Sequence, residues 1–214
     1  MKLPLPDSAS FVPDLVNAFE PGSDCELFAK KLGGPDTMHV KGYNTFLDYI
    51  FGYQEGMQRL YASYIARSDA SLVFPIIFLF RHSVELSLKY LLRVVRFLLQ
   101  RTETRRDKDR EKCHHIEPLW CRLESLLLEA FPNESREDFR KAARLIRQLA
   151  AVDEGSMEFR YPRDLDGKLH LDSFCSFDLP KFMLHAEWLI RFFLAVGDAM
   201  RAEIEAREGI SYSF

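Results

Sequence analysis

The residues best equipped for chemistry lie in and around the run Arg81-His82-Ser83-Val84-Glu85-Leu86-Ser87-Leu88-Lys89. On a helix advancing about 100° per residue, Arg81, His82, Glu85, Lys89, Arg93 and Arg96 share one sector of about 120°, and the rest of that surface is apolar. Charge left unpaired in a protein interior costs several kcal/mol, so such a stripe must meet water, a polar cleft or partner charges. One reading is a structural ladder of i, i+4 ion pairs. The other is the wall of a cleft, where Arg81 and Lys89 hold phosphate and Glu85 orients an arginine or accepts a hydroxyl proton.

Beyond the charged run Thr102 to Lys112 comes Cys113-His114-His115-Ile116-Glu117-Pro118-Leu119-Trp120. It places two histidines at the start of a helix. A helix N-terminus offers free N–H groups to an anion and disfavours a charged imidazole, which suits His114 and His115 to acid-base work or phosphate binding. Capping or packing histidines is the structural alternative. Cys113 and Cys121 frame the pair, but Cys-His-His-x5-Cys is not a common zinc spacing, so no metal and no cofactor is expected.

The segment Asp153 to Asp164 mixes aromatic and charged residues and must dock specifically, because its backbone polar groups and Arg160 need partners. Asp153, Ser156, Arg160 and Tyr161 are its candidates for contacts to substrate or phosphate. The structural alternative pairs Arg160 with Glu85 across a helix interface. Arg136, Arg140, Arg144 and Arg147 fall within about 80° of one another on a further helix, a row that suits a phosphate backbone or simply a solvated face.

The elements that must position these residues are helices. From about Tyr43 to Arg67, residues Phe46, Tyr49, Ile50, Tyr53, Met57, Leu60, Tyr61, Tyr64 and Ile65 recur at three- and four-residue spacing. A second helix, about Ser71 to Gln100, is apolar almost all round and should be central, with Pro75 tolerated in its first turns. A third spans about Ile116 to Ala130. The fourth runs from a Ser135 cap, with Asp138 completing a variant capping box, to about Val152. The alternation Phe159/Tyr161 and Leu169/Leu171 around Asp166-Gly167 predicts a β-hairpin or extended loop before a last helix from about Leu179 to Arg207. The expected fold is an all-α, up-and-down bundle of about five helices with a short hairpin-like loop before the last one.

Residues 1–36, with Pro4, Pro6, Pro13, Pro21 and Pro35, read as an irregular arm, 37–208 as the helical domain and 209–214 as a tail. A net charge of −3 removes any bulk electrostatic case for nucleic acid or an anionic membrane, leaving local patches to carry it. Eighteen phenylalanines supply ample core, so whole-chain disorder is excluded. Four scattered cysteines without CxxC spacing fit reduced thiols in the cytoplasm. The apolar run Leu72 to Phe80 falls short of the roughly 20 residues needed to cross a bilayer, so no membrane partner is expected.

Together, the run from Arg81 to Lys89, His114-x-Ile116-x-x-Leu119-Trp120 and Ser156-x-x-Phe159-Arg160-Tyr161-Pro162 with Asp164 and Gly167 resemble small bacterial all-helical proteins of the HEPN superfamily. The likeness covers residues 40–205, about three quarters of the chain. It implies a helical bundle, frequently a homodimer, in a superfamily whose members bind or cut RNA in toxin-antitoxin and phage-defence systems, with an antitoxin or other protein as partner. Catalytic members carry Arg-x4-6-His and cleave RNA without a metal, by attack of the adjacent 2′-hydroxyl. Here Arg110-x4-His115 and Arg163-x6-His170 meet that spacing, the first from the charged run and the second across a glycine-containing turn.

The resemblance thus implies an RNA- or nucleotide-binding protein that acts as a metal-independent endoribonuclease, with His114 or His115 moving protons and Arg81, Lys89 and Arg160 on the phosphate. The alternative is a non-catalytic interaction domain whose polar cluster is structural. On the functional reading, Glu85→Ala and His114→Ala leave folding intact. Aromatics on the first and last helices (Tyr49, Phe51, Tyr53, Trp188, Phe192, Phe193) favour a dimer.

Overall fold

A computed structural model describes residues 45–105, 107, 109, 112–171 and 176–208. The expected arm, the domain start at 37 and the tail lie outside the described residues. Thr45 opens helix α1 (Phe46–Arg67) with a capping box: its hydroxyl accepts the Asp48 N–H at 3.2 Å while its own N–H donates to the Asp48 carboxylate at 2.9 Å. These contacts satisfy groups that the first helical turn leaves free. Ser68, with φ of 54°, stops the helix, and its N–H donates to the Tyr64 carbonyl.

A short 3-10 turn, Ala70–Leu72, then leads into α2 (Val73–Leu98). Pro75 is the third residue of α2, where a missing N–H removes no helical hydrogen bond. Helix α2 ends at the predicted place because Gln100 turns left-handed (φ 52°) and the Arg101 N–H reaches back to the Arg96 carbonyl at 2.8 Å. Helices α3 (Ile116–Ala130), α4 (Arg136–Val152) and α5 (Leu179–Glu208) complete the fold. Ser135 caps α4 by accepting the Glu137 N–H at 3.3 Å, one residue short of the Asp138 that the expected box would use. The Asp178 carboxylate accepts the Lys181 N–H at 2.9 Å at the start of α5.

Helix α2 packs against α1, α3 and α5, while α3 packs on α4 and α4 on α5. Four helices therefore form a ring around the core, and α1 lies along α2. Sixteen of the 26 residues of α2 are buried, as its all-round apolarity predicted. By length and composition the segment Ala70–Leu98, whose most apolar 18-residue window has a mean hydropathy of 1.4, is long and apolar enough to cross a membrane, although the run Leu72 to Phe80 alone is not. Half of its most apolar stretch is buried among the other helices, as in the core helix of a bundle.

Trp120 of α3 is 1% exposed and its ring lies 6.0 to 6.5 Å from those of Phe139, Phe192 and Phe193. Trp188 stacks on Phe192 at 5.5 Å, so the aromatics of the last helix are spent within the chain. Tyr49 and Phe51 of α1 remain exposed. No strand occurs among the described residues. The hairpin-like loop is a single antiparallel bridge, Arg163 to Leu169, closed by a turn in which the Asp164 carboxylate accepts the Asp166 and Lys168 N–H groups. Gly167 holds a φ of 82° there, a conformation that a β-carbon would strain.

Trp120 is the largest fully buried side chain and the hub of this aromatic cluster. Trp120→Ala should cost about 3–5 kcal/mol, read as a fall in the chemical-denaturation midpoint with the far-UV helical signal retained. A loss under about 1 kcal/mol would contradict the packing described.

Candidate functional site

Arg81, Glu85 and Lys89 are successive i, i+4 positions on α2, so the helix itself stacks their side chains. Glu85 receives both neighbours: Arg81 Nη1 donates to Oε2 at 2.7 Å and Lys89 Nζ to Oε1 at 2.7 Å. Arg81 is 0% exposed and Glu85 1%. Ions so placed are tenable only with their remaining hydrogen-bonding groups satisfied. The Arg81 guanidinium accordingly donates through Nε to the Asp153 carbonyl at 3.4 Å and through Nη2 to the Glu154 carbonyl at 3.4 Å and to the His114 carbonyl. One cation thereby ties the segment before α3 and the segment after α4 to the central helix.

Asp153, fully buried, supplies the second negative charge, with Oδ2 3.7 Å from Arg81 Nε. Its Oδ1 accepts the Met157 N–H at 2.8 Å and the Glu158 N–H at 3.3 Å. That fold-back gathers the loop beyond α4 and puts the buried Ser156 in the left-handed region, with φ of 63°. Ser156 is thus part of the loop's construction.

The outer side of the network is His114. Its Nδ1 lies 3.0 Å from Glu85 Oε1, yet its side chain is 63% exposed. Burial by itself would push the Glu85 carboxyl up. The hydrogen bond from Lys89, the charges of Lys89 and Arg81 and the hydrogen bond with His114 outweigh it, holding the carboxyl below its usual value. An ionised carboxylate only accepts, so the proton sits on His114 Nδ1, and Nε2 is the ring nitrogen left without a partner among the described residues. A carboxylate that fixes the imidazole tautomer is the arrangement of a general base.

His115 is the N-cap of α3 without a side-chain cap bond, and its Nδ1 lies 3.6 Å from the exposed Glu154 carboxylate. Arg160 and Tyr161 stay at the surface. The Arg160 guanidinium rests 5.7 Å from the Phe78 ring and 5.3 Å from the Tyr161 ring, not on Glu85, which Arg81 and Lys89 already saturate. Arg163 donates to the Gly167 carbonyl at 2.6 Å and braces its own turn. Arg110 lies outside the described residues. Arg147 Nε stands 3.7 Å from Glu117, so the exposed arginine row of α4 ends beside the first turn of α3.

The α2 stripe divides. His82 leaves the cluster for an aromatic slot, edge-on to Tyr53 at 4.6 Å and stacked on Phe78 at 5.9 Å, where burial pulls its pKa down. Arg96 pairs instead with Asp107 at 3.2 Å, and Arg122 of α3 lies 3.9 Å from the same carboxylate. The charged run Thr102 to Lys112 has no apolar residue, yet Asp107 is 4% exposed. Thr104 signals this inward turn, since its hydroxyl and N–H bind the Asp107 backbone and carboxylate in the same pattern as Thr45 and Asp48. Cys113 and Cys121 are free thiols.

Glu85 is buried and bonded to both Arg81 and Lys89, which argues against the expectation that Glu85→Ala leaves folding intact. The change strands two buried cations and should cost about 3–5 kcal/mol in urea unfolding, whereas His114→Ala, at an exposed ring, should cost under about 1 kcal/mol.

Burial, followed by the shared hydrogen bond with Glu158, pushes the Asp153 carboxyl up from 3.8 to about 6. The folded state therefore holds a proton that the unfolded chain has lost, so this contribution to stability is full below pH 3.8 and declines as pH rises through about 6. His82, with its lowered pKa, works in the opposite direction below pH 6.5. Asp153→Asn isolates the carboxyl: the variant should gain stability relative to wild type on going from pH 5 to pH 7, read by thermal unfolding at both. A constant difference would show that Asp153 does not titrate there.

Compared with known proteins, the chain matches no family model, no curated protein and no solved structure, so its function is inferred from the geometry of the site itself.

Proposed function

We propose that this chain is a cytoplasmic, HEPN-like RNA-binding protein in which the exposed His114, held by the buried Glu85 in a dyad, cleaves RNA without a metal. The observation that carries the reading is a buried carboxylate 3.0 Å from the Nδ1 of an imidazole whose side chain is 63% exposed. A histidine needed only for packing has no reason to stand in solvent on a carboxylate already paired twice. In this mechanism His114 Nε2 takes the proton of a 2′-hydroxyl, the oxygen attacks the adjacent phosphorus, and the 5′-oxygen leaves with a proton from His115 or water. Glu85 stabilises the imidazolium as it forms.

The roles of the cations change from those expected of the sequence. Arg81 donates through Nε, Nη1 and Nη2 to protein acceptors, so it positions the His114 backbone and does not hold phosphate. Phosphate contacts fall to Lys89, whose side chain is 11% exposed, to the surface Arg160 and to the arginine row of α4. A homodimer would use the exposed Tyr49 and Phe51 of α1.

One observation favours the second reading, a non-catalytic interaction domain. The buried part of the cluster holds three chain segments together through Arg81, which a scaffold alone would need. End-labelled single-stranded and structured RNA, incubated in EDTA with wild type, His114→Ala and His115→Ala, separates the two. Cleavage should fall about 10²–10⁴-fold in His114→Ala with folding intact. Equal cleavage by wild type and His114→Ala, or none with enzyme in large excess, would discard the dyad as catalyst and leave the scaffold.

A further inference from the structure

A second feature lies on the α4 and α5 side of the bundle, in residues outside the dyad. A cleft of about 580 Å³ opens between these helices over α2. That volume lies within the range of small-molecule sites, about 300–1,000 Å³. Lys141 and Arg144 stand three residues apart on α4, and Lys181 and His185 four apart on α5, so each pair occupies one helix face and both border the cleft. All four side chains are exposed. Lys141 rests over the Trp188 ring at 3.8 Å. No acidic partner is present for Arg144, Lys181 or His185 among the described residues. The one carboxylate at the rim, Asp178, is occupied in capping α5 through the Lys181 N–H at 2.9 Å.

Apart from these rim residues and the exposed Gln148 of α4, the lining is apolar. Phe80 of α2, Leu145 and Leu149 of α4 and Phe182 and Leu189 of α5 are representative. A nucleobase lying on this floor would find Gln148 for one part of its edge and leave the rest unpaired, at a cost of a few kcal/mol. An alkyl chain loses nothing on entering such walls, and each methylene removed from water contributes about 0.8 kcal/mol.

We propose that this cleft binds an amphipathic anion, an acyl or alkyl chain lying on the aromatic and aliphatic floor with a single carboxylate or phosphate head held by Arg144 and Lys181. The charge complementarity is local: three cations and a histidine ring an apolar floor on a chain whose net charge is −3. Lys181 belongs to α5 and not to the arginine row of α4, so the site is separable from any phosphate-backbone contact.

Isothermal titration of the full chain with dodecanoate, dodecyl phosphate and dodecanol, each below its aggregation concentration, tests this. Dodecanoate or dodecyl phosphate should bind at one site per chain, and dodecanol at least tenfold more weakly. A preference between the two anions identifies the natural head group. The double variant Arg144→Glu, Lys181→Glu, changed only at exposed positions, should lose at least tenfold in affinity with an unchanged melting temperature, while His114→Ala binds as wild type. Absence of binding up to millimolar ligand, equal affinity for dodecanol and dodecanoate, or undiminished binding by the charge-reversed variant would overturn the proposal.

Discussion

The burial of the Arg81 guanidinium is the constraint on which the rest of this structure depends. A cation removed from water must regain several kcal/mol from its surroundings, and it does so here from a carboxylate one turn along its own helix and from three backbone carbonyls. Those carbonyls belong to Asp153, Glu154 and His114, so satisfying one side chain fixes where α3 begins and how the chain leaves α4. Apolar packing sets the ring of helices, but hydrophobic contacts are non-directional and would tolerate other loop positions. The guanidinium is directional, and it decides between them.

The same constraint creates the surface chemistry. Glu85 is ionised because Lys89 and Arg81 hold it so, and an ionised carboxylate at the edge of the core can fix the tautomer of whatever imidazole lies over it. His114 lies over it because its own carbonyl is one of the acceptors of Arg81. Backbone and side chain of one residue are therefore held by two members of the same ion pair, which is a way to position an exposed ring with little freedom. Asp153 balances the network from the other side. A second network repeats the device around the buried Asp107, which pairs with Arg96 and Arg122.

Much of the fold was legible in the sequence. Three- and four-residue spacing located the five α-helices named among the described residues, and most ends fell within a few residues of their predicted places because Thr45 and Ser135 cap their helices in place and Ser68 turns left-handed after α1. The stripe on α2 was legible as a stripe, since its members share one helix face. That Arg81 and Glu85 face inward, His82 an aromatic slot and Arg96 a different carboxylate was not, because side-chain burial depends on what packs opposite. Asp107 was hidden for the same reason. Nothing in a run of eleven polar residues marks one of them for the interior except the Thr104 spacing that caps its turn.

The cleft between α4 and α5 belongs wholly to the second category, since Arg144 and Lys181 are ordinary surface residues until their helices meet. By itself, then, the sequence determined the all-α class, the helix boundaries and the i, i+4 partnership of Arg81, Glu85 and Lys89, all of which depend on contacts within about four residues. Tertiary structure alone decided which charges are buried, which carbonyls receive Arg81 and that His114 meets Glu85 across 29 residues of sequence. Those are contacts between elements, and their energies come from desolvation and directional hydrogen bonding that exist only once the helices have assembled.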